Sequence, residues 1–160
     1  MNNKRRVPWI NENEWEWMAK GLYSKNPELR FQCLQRIKAW RSRGRLSHAI
    51  DATAMLTQAQ FTDDFSDCSE LEKRFFYSMA MIRFVNGLID ASQKGSVASS
   101  MTGIATHLGL PLWFIDLRHS ATHDQLPSLQ LLRTGCDQAL EWLLEHYWNP
   151  CQVEPLMIQA

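Results

Sequence analysis

The chain has 160 residues and a mass of 18.6 kDa, which fits one domain and leaves little room for two. Apolar residues make up 45% of it, enough for an ordinary core, so a disordered chain is excluded. The formal net charge is zero, which by itself argues against a nucleic-acid-binding domain. The charge is uneven, however, with balances of +7, −3 and −4 over residues 1–50, 51–100 and 101–160. Such asymmetry is itself a feature of nucleic-acid surfaces.

Hydrophobic periodicity and capping residues predict helices along most of the first half of the chain. Three are expected: one capped by Asn11 and running to about Ser24, one opened by Asn26 and Pro27 and stopping near Gly44, and one from Ser47 to about Gln60. The polar, acidic residues 62–67 that follow are predicted to form a loop.

Four more helices are predicted in the second half. They run from Ser69 to before Gly95, from Ser96 to Leu108 with Gly109 as the stop, from Pro111 toward His123, and from Ser128 to Asn149. No stretch alternates with the period of a strand. The sequence therefore predicts an all-α bundle of five to seven helices in a single domain over residues 9–149, with extensions at 1–8 and 150–160.

The cysteine pattern and the uncharged stretch at 95–115 exclude two further classes. The four cysteines form no C-x-x-C pair and are predicted to be reduced, mostly buried thiols: Cys33, Cys68, Cys136 and Cys151. Residues 95–115 are long enough to cross a membrane, but only 11 of the 21 are apolar. With no apolar leader at the N-terminus, we expect a soluble protein that makes no membrane contact.

The densest group of chemically useful side chains lies at residues 116–124. On a helix, His119 and His123 lie about 40° apart on one face, and Arg118 is displaced by about 100° from His119. Near neutral pH one imidazole can be neutral and another protonated, which supplies a general base and a general acid. An arginine donates charge-assisted hydrogen bonds to a phosphate. These roles suit metal-independent RNA cleavage by the ribose 2′-hydroxyl, a group that DNA lacks.

Three other interpretations of this group remain open from spacing alone. The two histidines could bind zinc with Asp116 or Asp124, although no H-E-x-x-H motif is present. Arg118 and His119 could have only structural roles, and Ser120 could act as a nucleophile beside a histidine, although the G-x-S-x-G setting is missing. The isolated His48, His107 and His146 are predicted to be surface or satisfied core residues.

The segment from Arg118 to His123 has the R-H-x-x-x-H form of the HEPN ribonucleases. Its surroundings at residues 110–129, together with three further blocks at 39–49, 78–87 and 139–148, resemble the Las-one family of pre-ribosomal RNA endonucleases. The resemblance extends from about Val7 to Trp148, nearly the whole chain.

This resemblance implies a HEPN-type helical domain that dimerises, so that two motifs form one composite site. It implies that Arg118, His119 and His123 are catalytic and that the second internal transcribed spacer of pre-rRNA is cut without a metal or other cofactor. It further implies a partner, a polynucleotide 5′-kinase that phosphorylates the released 5′-hydroxyl, and a location in the nucleus and nucleolus. Family members continue beyond this domain, so the chain resembles an isolated nuclease domain. The alternative function is a non-catalytic, dimeric helical module that scaffolds an RNA-processing complex.

The basic segment, defined as Arg41, Arg43 and Arg45, is the predicted RNA-backbone contact. On a helix continued to residue 45, Arg30, Lys38, Arg41 and Arg45 would share an arc of about 80°. For each residue taken alone, a solvated helix face is the alternative.

Overall fold

The computed structural model describes residues 7–93 and 100–149, and within these ranges it contains seven α-helices and no strand. The helices are α1 (Glu12–Leu22), α2 (Pro27–Arg43), α3 (His48–Phe65), α4 (Glu70–Ser92), α5 (Met101–Leu108), α6 (Trp113–His123) and α7 (Leu129–Leu143). A π-helical turn, Leu144–Trp148, extends α7. The all-α prediction is confirmed. The predicted extensions at 1–8 and 150–160 lie almost wholly outside the described residues.

The predicted capping residues start most of the helices. The side chains of Asn11, Asn26, Ser47 and Ser128 each accept a hydrogen bond from a backbone N–H in the first turn. Ser69 forms a complete capping box with Glu72 at the start of α4. These bonds satisfy N–H groups that have no partner within the helix, which is why the starts were readable from sequence.

The structure corrects three of the predicted boundaries. Helix α3 continues to Phe65, so most of the predicted loop at 62–67 is helical. Helix α6 begins at Trp113, after a turn in which the Pro111 carbonyl accepts from the Phe114 N–H. Helix α5 is capped by Ser100, whereas its predicted start at Ser96 lies outside the described residues. Its predicted stop is confirmed, because Gly109 adopts the left-handed conformation with φ 69°.

Helix α4 is the centre of the bundle and packs against α3, α5, α6 and α7. Its buried face carries Phe84 and Val85, both fully buried. The other fully buried large side chains come from most of the remaining helices and include Met18, Ile37, Trp40, Ile50, Leu56, Phe114, Leu132, Leu143 and Trp148. Six of the seventeen aromatic residues are buried in this core and six more pack partly buried against it, whereas five are exposed: Trp17, Phe31, Phe65, Phe75 and Phe76.

Asp63 explains why α3 is longer than predicted. Its side chain is 5% exposed and accepts two hydrogen bonds from Arg133 of α7, at 2.6 and 2.8 Å. Tyr77 donates to it at 2.9 Å, and the Lys73 ammonium lies 3.2 Å away. The Arg133 guanidinium, with Tyr77 and Lys73, holds the pKa of this carboxyl well below its usual range. The acidic residue is thus an internal connection between α3, α4 and α7.

Two further predictions, that the cysteines are free thiols and that no segment spans a membrane, can be compared with the structure. Cys33, Cys68 and Cys136 are free thiols, the first and last buried, and Cys151 lies outside the described residues. Burial raises the pKa of the Cys33 thiol to about 11, as expected of an unreactive core cysteine. None of the helices in the described ranges is both long and apolar enough to cross a membrane.

Candidate active site

Helix α6 is fixed to the bundle by its apolar face. Phe114 is fully buried and Leu117 is 3% exposed, and the helix packs mainly on α4. At Gly135 of α7 an added β-carbon would lie 3.0 Å from Leu117 and 3.3 Å from Trp113. A side chain at this position would have to displace these neighbours by a few tenths of an ångström, so glycine favours the close approach of α6 and α7. Such anchoring orients the polar face of α6 outward.

The two histidines of the motif lie together on this outward face. Their ring centroids are 5.2 Å apart and the ring planes are inclined by 56°. Both residues are exposed, and the His119 side chain keeps 61% of its accessible surface. The nearest carboxylate to His119 is Asp124, at 3.9 Å from Nε2. Two solvent-facing imidazoles one turn apart can both come within hydrogen-bond distance of one reacting group of a substrate.

Arg118 is positioned differently, because it is half-buried and held by neighbouring helices. Its Nε–H donates to the Asn86 Oδ1 of α4 at 2.5 Å. Its Nη1 group lies 3.8 Å from the sulfur of Met101 in α5. Neither contact involves Nη2. The guanidinium thus lies at the junction of α4, α5 and α6 with one edge fixed.

The structure bears on the other interpretations of this cluster. Arg118 does have a structural contact, but with Asn86 rather than with Asp116. Ser120 lines a groove between α6 and α7 together with Trp113, Gln125 and Gln138, on the side away from Arg118. No three histidine, cysteine or acidic side chains converge on a possible metal site in the part of the chain that the structure describes.

The isolated histidines behave as satisfied or surface residues, as predicted. The His48 ring shares a hydrogen bond with the Phe84 carbonyl at 3.0 Å, and burial lowers the pKa of His48. His146 bonds the Trp142 carbonyl and stacks on that indole at 4.3 Å, whereas His107 is exposed.

The arc of basic residues considered for a helix continued to residue 45 does not form, because α2 stops near Gly44, as the sequence predicts. Helix α2 ends at Arg43, and Gly44 is extended, which takes Arg45 off the helix. Arg41 forms an ion pair with Asp51, and Arg43 donates to the Pro8 carbonyl at 3.2 Å. All three arginines are nevertheless exposed.

Arg30 does not present its cation to solvent beside the basic segment. It donates to the Leu22 carbonyl and to Gln60 and lies 5.6 Å above the Phe61 ring. These contacts give Arg30 a structural role, whereas Lys38 is exposed.

A short series of contacts connects the basic segment to the motif. Helix α2 meets α3, α3 meets α4, and α4 meets α6 through these pairs: Arg41 with Asp51, His48 with the Phe84 carbonyl, and Asn86 with Arg118. Asp51 and His48 lie in the first turn of α3, and Phe84 and Asn86 lie within one turn of α4. These contacts run from the end of α2 to α6 through α3 and α4.

Asn86 is the site residue for which sequence reasoning gave no role. It lies 32 residues from Arg118 on another helix, and no local spacing rule connects the two. The one feature of the sequence that pointed to Asn86 was its position within residues 78–87, a segment that resembles the family.

Fold and site together define a class of protein: a single-domain helical bundle that presents an R-H-x-x-x-H motif on one exposed helix, with its arginine tied to the central helix. A family model described as Las1-like matches residues 7–150. The chain therefore belongs to the Las1-like family, which confirms the resemblance seen in the sequence.

The relatives support the same assignment over most of the chain. Protein LAS1 of Saccharomyces cerevisiae is 38% identical across 94% of this chain. Pre-rRNA-processing protein las1 of Schizosaccharomyces pombe is 34% identical across 90%, and ribosomal biogenesis protein LAS1L of Mus musculus is 33% identical across 89%. The matched regions cover 32%, 31% and 19% of those proteins, so the chain spans about a third or less of their length.

Proposed function

We propose that this domain is a metal-independent endoribonuclease of pre-rRNA processing, and that Arg118, His119 and His123 carry the reaction. The observation that supports this most directly is the geometry of α6. Two exposed imidazoles lie 5.2 Å apart beside an arginine whose orientation is fixed. The names of two relatives, which refer to pre-rRNA processing and ribosomal biogenesis, support the RNA class of substrate.

In the proposed reaction the ribose 2′-oxygen forms a bond to the adjacent phosphorus as the bond to the 5′-oxygen breaks. One imidazole accepts the proton of the 2′-hydroxyl, and a protonated imidazole donates a proton to the departing 5′-oxygen. The Arg118 guanidinium stabilises the charge that gathers on the phosphoryl oxygens. The products are a 2′,3′-cyclic phosphate and a 5′-hydroxyl, and no cofactor takes part.

The substrate, assembly and location are part of the same proposal. Its substrate is the second internal transcribed spacer of pre-rRNA, cut during maturation of the large ribosomal subunit in the nucleolus. Two copies of the domain pair so that both motifs face one scissile phosphate, which doubles the histidines available to it. A polynucleotide 5′-kinase is the expected partner, because the released 5′-hydroxyl is the substrate of such an enzyme.

The identity of the cleavage products tests the reaction. Spacer RNA incubated with the protein in EDTA and without ATP, alone and with the kinase partner, is expected to yield a 5′ fragment that resists phosphatase until acid opens its cyclic phosphate. The 3′ fragment should accept a 5′ label without prior phosphatase treatment. A 2′-deoxy substitution at the cleaved nucleotide is the matched control and should block the cut. Fragments with 5′-phosphates, or activity lost in EDTA, would contradict the proposal; binding without cleavage would favour the scaffold alternative.

The basic segment is proposed to contact the RNA backbone beside the motif. Replacing Arg41, Arg43 and Arg45 by Gln is expected to weaken RNA binding and to lower the slope of log K against log salt by up to about 2 to 3, since each phosphate contact contributes about 0.7 to 0.9. Fluorescence anisotropy between low and moderate salt measures both. Replacing Lys20, Lys25 and Arg36 by Gln removes the same charge elsewhere and should leave the slope nearer the wild-type value. An unchanged slope in the first variant would remove the segment from the RNA surface.

A further inference from the structure

The orientation of Arg118 is set by a residue outside the motif. Arginine has only hydrogen-bond donors, so the Asn86 side chain must present its amide oxygen, which lies 2.5 Å from Nε. A bond to Nε fixes the plane of the guanidinium and leaves the Nη2 group for another acceptor. An exposed arginine without such a bond would sample many rotamers and lose that freedom when it bound a phosphate.

The turn of α4 that carries Asn86 is itself rigid. Phe84 and Val85 are fully buried beside it. At Gly87 the His48 ring occupies the space that a side chain would take, and the same ring shares a hydrogen bond with the Phe84 carbonyl. The backbone at 84–87 is thus packed from the α3 side while Asn86 faces Arg118. A group on a rigid helix that is braced from behind can hold its partner in a defined position.

We propose that Asn86 is the positioning residue of the active site: it orients the Arg118 guanidinium toward the scissile phosphate through the Oδ1–Nε hydrogen bond. This inference rests on the proposed endoribonuclease function and deepens it. Asn86 acts through Arg118, so its loss should lower the rate of bond cleavage while RNA affinity, to which many exposed cations contribute, changes little.

Three substitutions separate positioning from packing. Asn86→Leu keeps the volume and removes the acceptor, Asn86→Ala removes both, and Asn86→Asp keeps an acceptor oxygen for Nε. Single-turnover cleavage by Asn86→Ala and Asn86→Leu is expected to be about 10- to 100-fold slower than wild type, because small misplacements of catalytic groups have effects of this size. Asn86→Asp should be the fastest of the three. The dissociation constant for RNA should change less than about threefold in Asn86→Ala and Asn86→Leu, which conserve charge.

A double-mutant cycle with Arg118→Ala tests whether Asn86 works through the arginine. In the Arg118→Ala background, Asn86→Ala is expected to cause no further loss of rate, since the group it positions is gone. The Nε–H signal of Arg118 in a nitrogen-15 spectrum should also shift and lose protection from exchange in Asn86→Leu but remain protected in Asn86→Asp.

The outcomes distinguish this inference from the proposed function. Wild-type rates in Asn86→Leu, or losses that multiply with those of Arg118→Ala, would overturn the positioning role while leaving the nuclease assignment intact. If the wild-type protein itself leaves no cyclic phosphate with or without the kinase partner, the nuclease assignment fails and the positioning role fails with it. Slow cleavage by Asn86→Leu with wild-type RNA affinity and melting temperature would support both.

Discussion

Replacing His123 with alanine is expected to slow cleavage of spacer RNA by at least about 100-fold, the usual contribution of a general acid or base. The effect should be on catalysis rather than folding, because the His123 side chain is exposed. Within the part of the chain that the structure describes, the one aromatic ring that it contacts is that of His119. Exposed side chains of this kind change the free energy of unfolding by about 0.5 kcal/mol or less. Single-turnover kinetics measure the rate, and a thermal melt measures the stability.

The control for His123→Ala is His107→Ala, which removes another exposed histidine from α5 and should cleave at the wild-type rate. Because the site is proposed to form from two copies, an excess of His123→Ala protein should also inhibit wild-type protein by forming mixed dimers. Full activity of a correctly folded His123→Ala variant would show that the motif does not carry the reaction.

Removing the carboxylate of Asp63 is expected to have the largest effect on stability. Asp63→Ala leaves the partly buried cations of Lys73 and Arg133 without their shared counter-ion, and breaking a buried pair in this way costs about 3 to 5 kcal/mol. Because the Arg133 side chain is about half exposed, water can solvate its charge once Asp63 is gone. The free energy of unfolding is therefore expected to fall by about 3 kcal/mol, the lower limit of this range. Urea denaturation at pH 7 measures it. Asp64→Ala, at the exposed neighbouring position, should change stability by about 0.5 kcal/mol or less.

The Asp63 contribution should also depend on pH. The pKa of this carboxyl is lowered in the folded protein, so its stabilisation is fully present above the ordinary aspartate pKa of about 3.9. It is lost as the pH falls from there through the folded-state pKa. The difference in unfolding free energy between wild type and Asp63→Asn should therefore narrow below about pH 4. A difference that stays constant from pH 6 to pH 3 would show that the charge of Asp63 does not stabilise the fold.

The predictions that were wrong assumed that charged side chains face solvent, because the sequence does not show which residues pair with them in the fold. The acidic run at residues 62–67 has the composition of a loop, and the helix continues through Asp63 because Arg133, 70 residues away, neutralises it. The four basic residues do not share one face, because α2 ends before Arg45, near its predicted stop at Gly44, and the Arg30 guanidinium donates hydrogen bonds to α1 and α3. Side-chain charge alone does not say whether a residue faces solvent or a partner.

The sequence by itself determined the helical class, most of the helix starts and the position of the R-H-x-x-x-H motif on one helix. These features depend on hydrogen bonds and side-chain spacing within one or two turns, and such interactions are readable from neighbouring letters. Only the tertiary structure decided that both histidines face solvent while Arg118 is held by Asn86, and that Asp63 is buried between three helices. Those results depend on contacts between residues 32 and 70 positions apart, which form only when the helices pack.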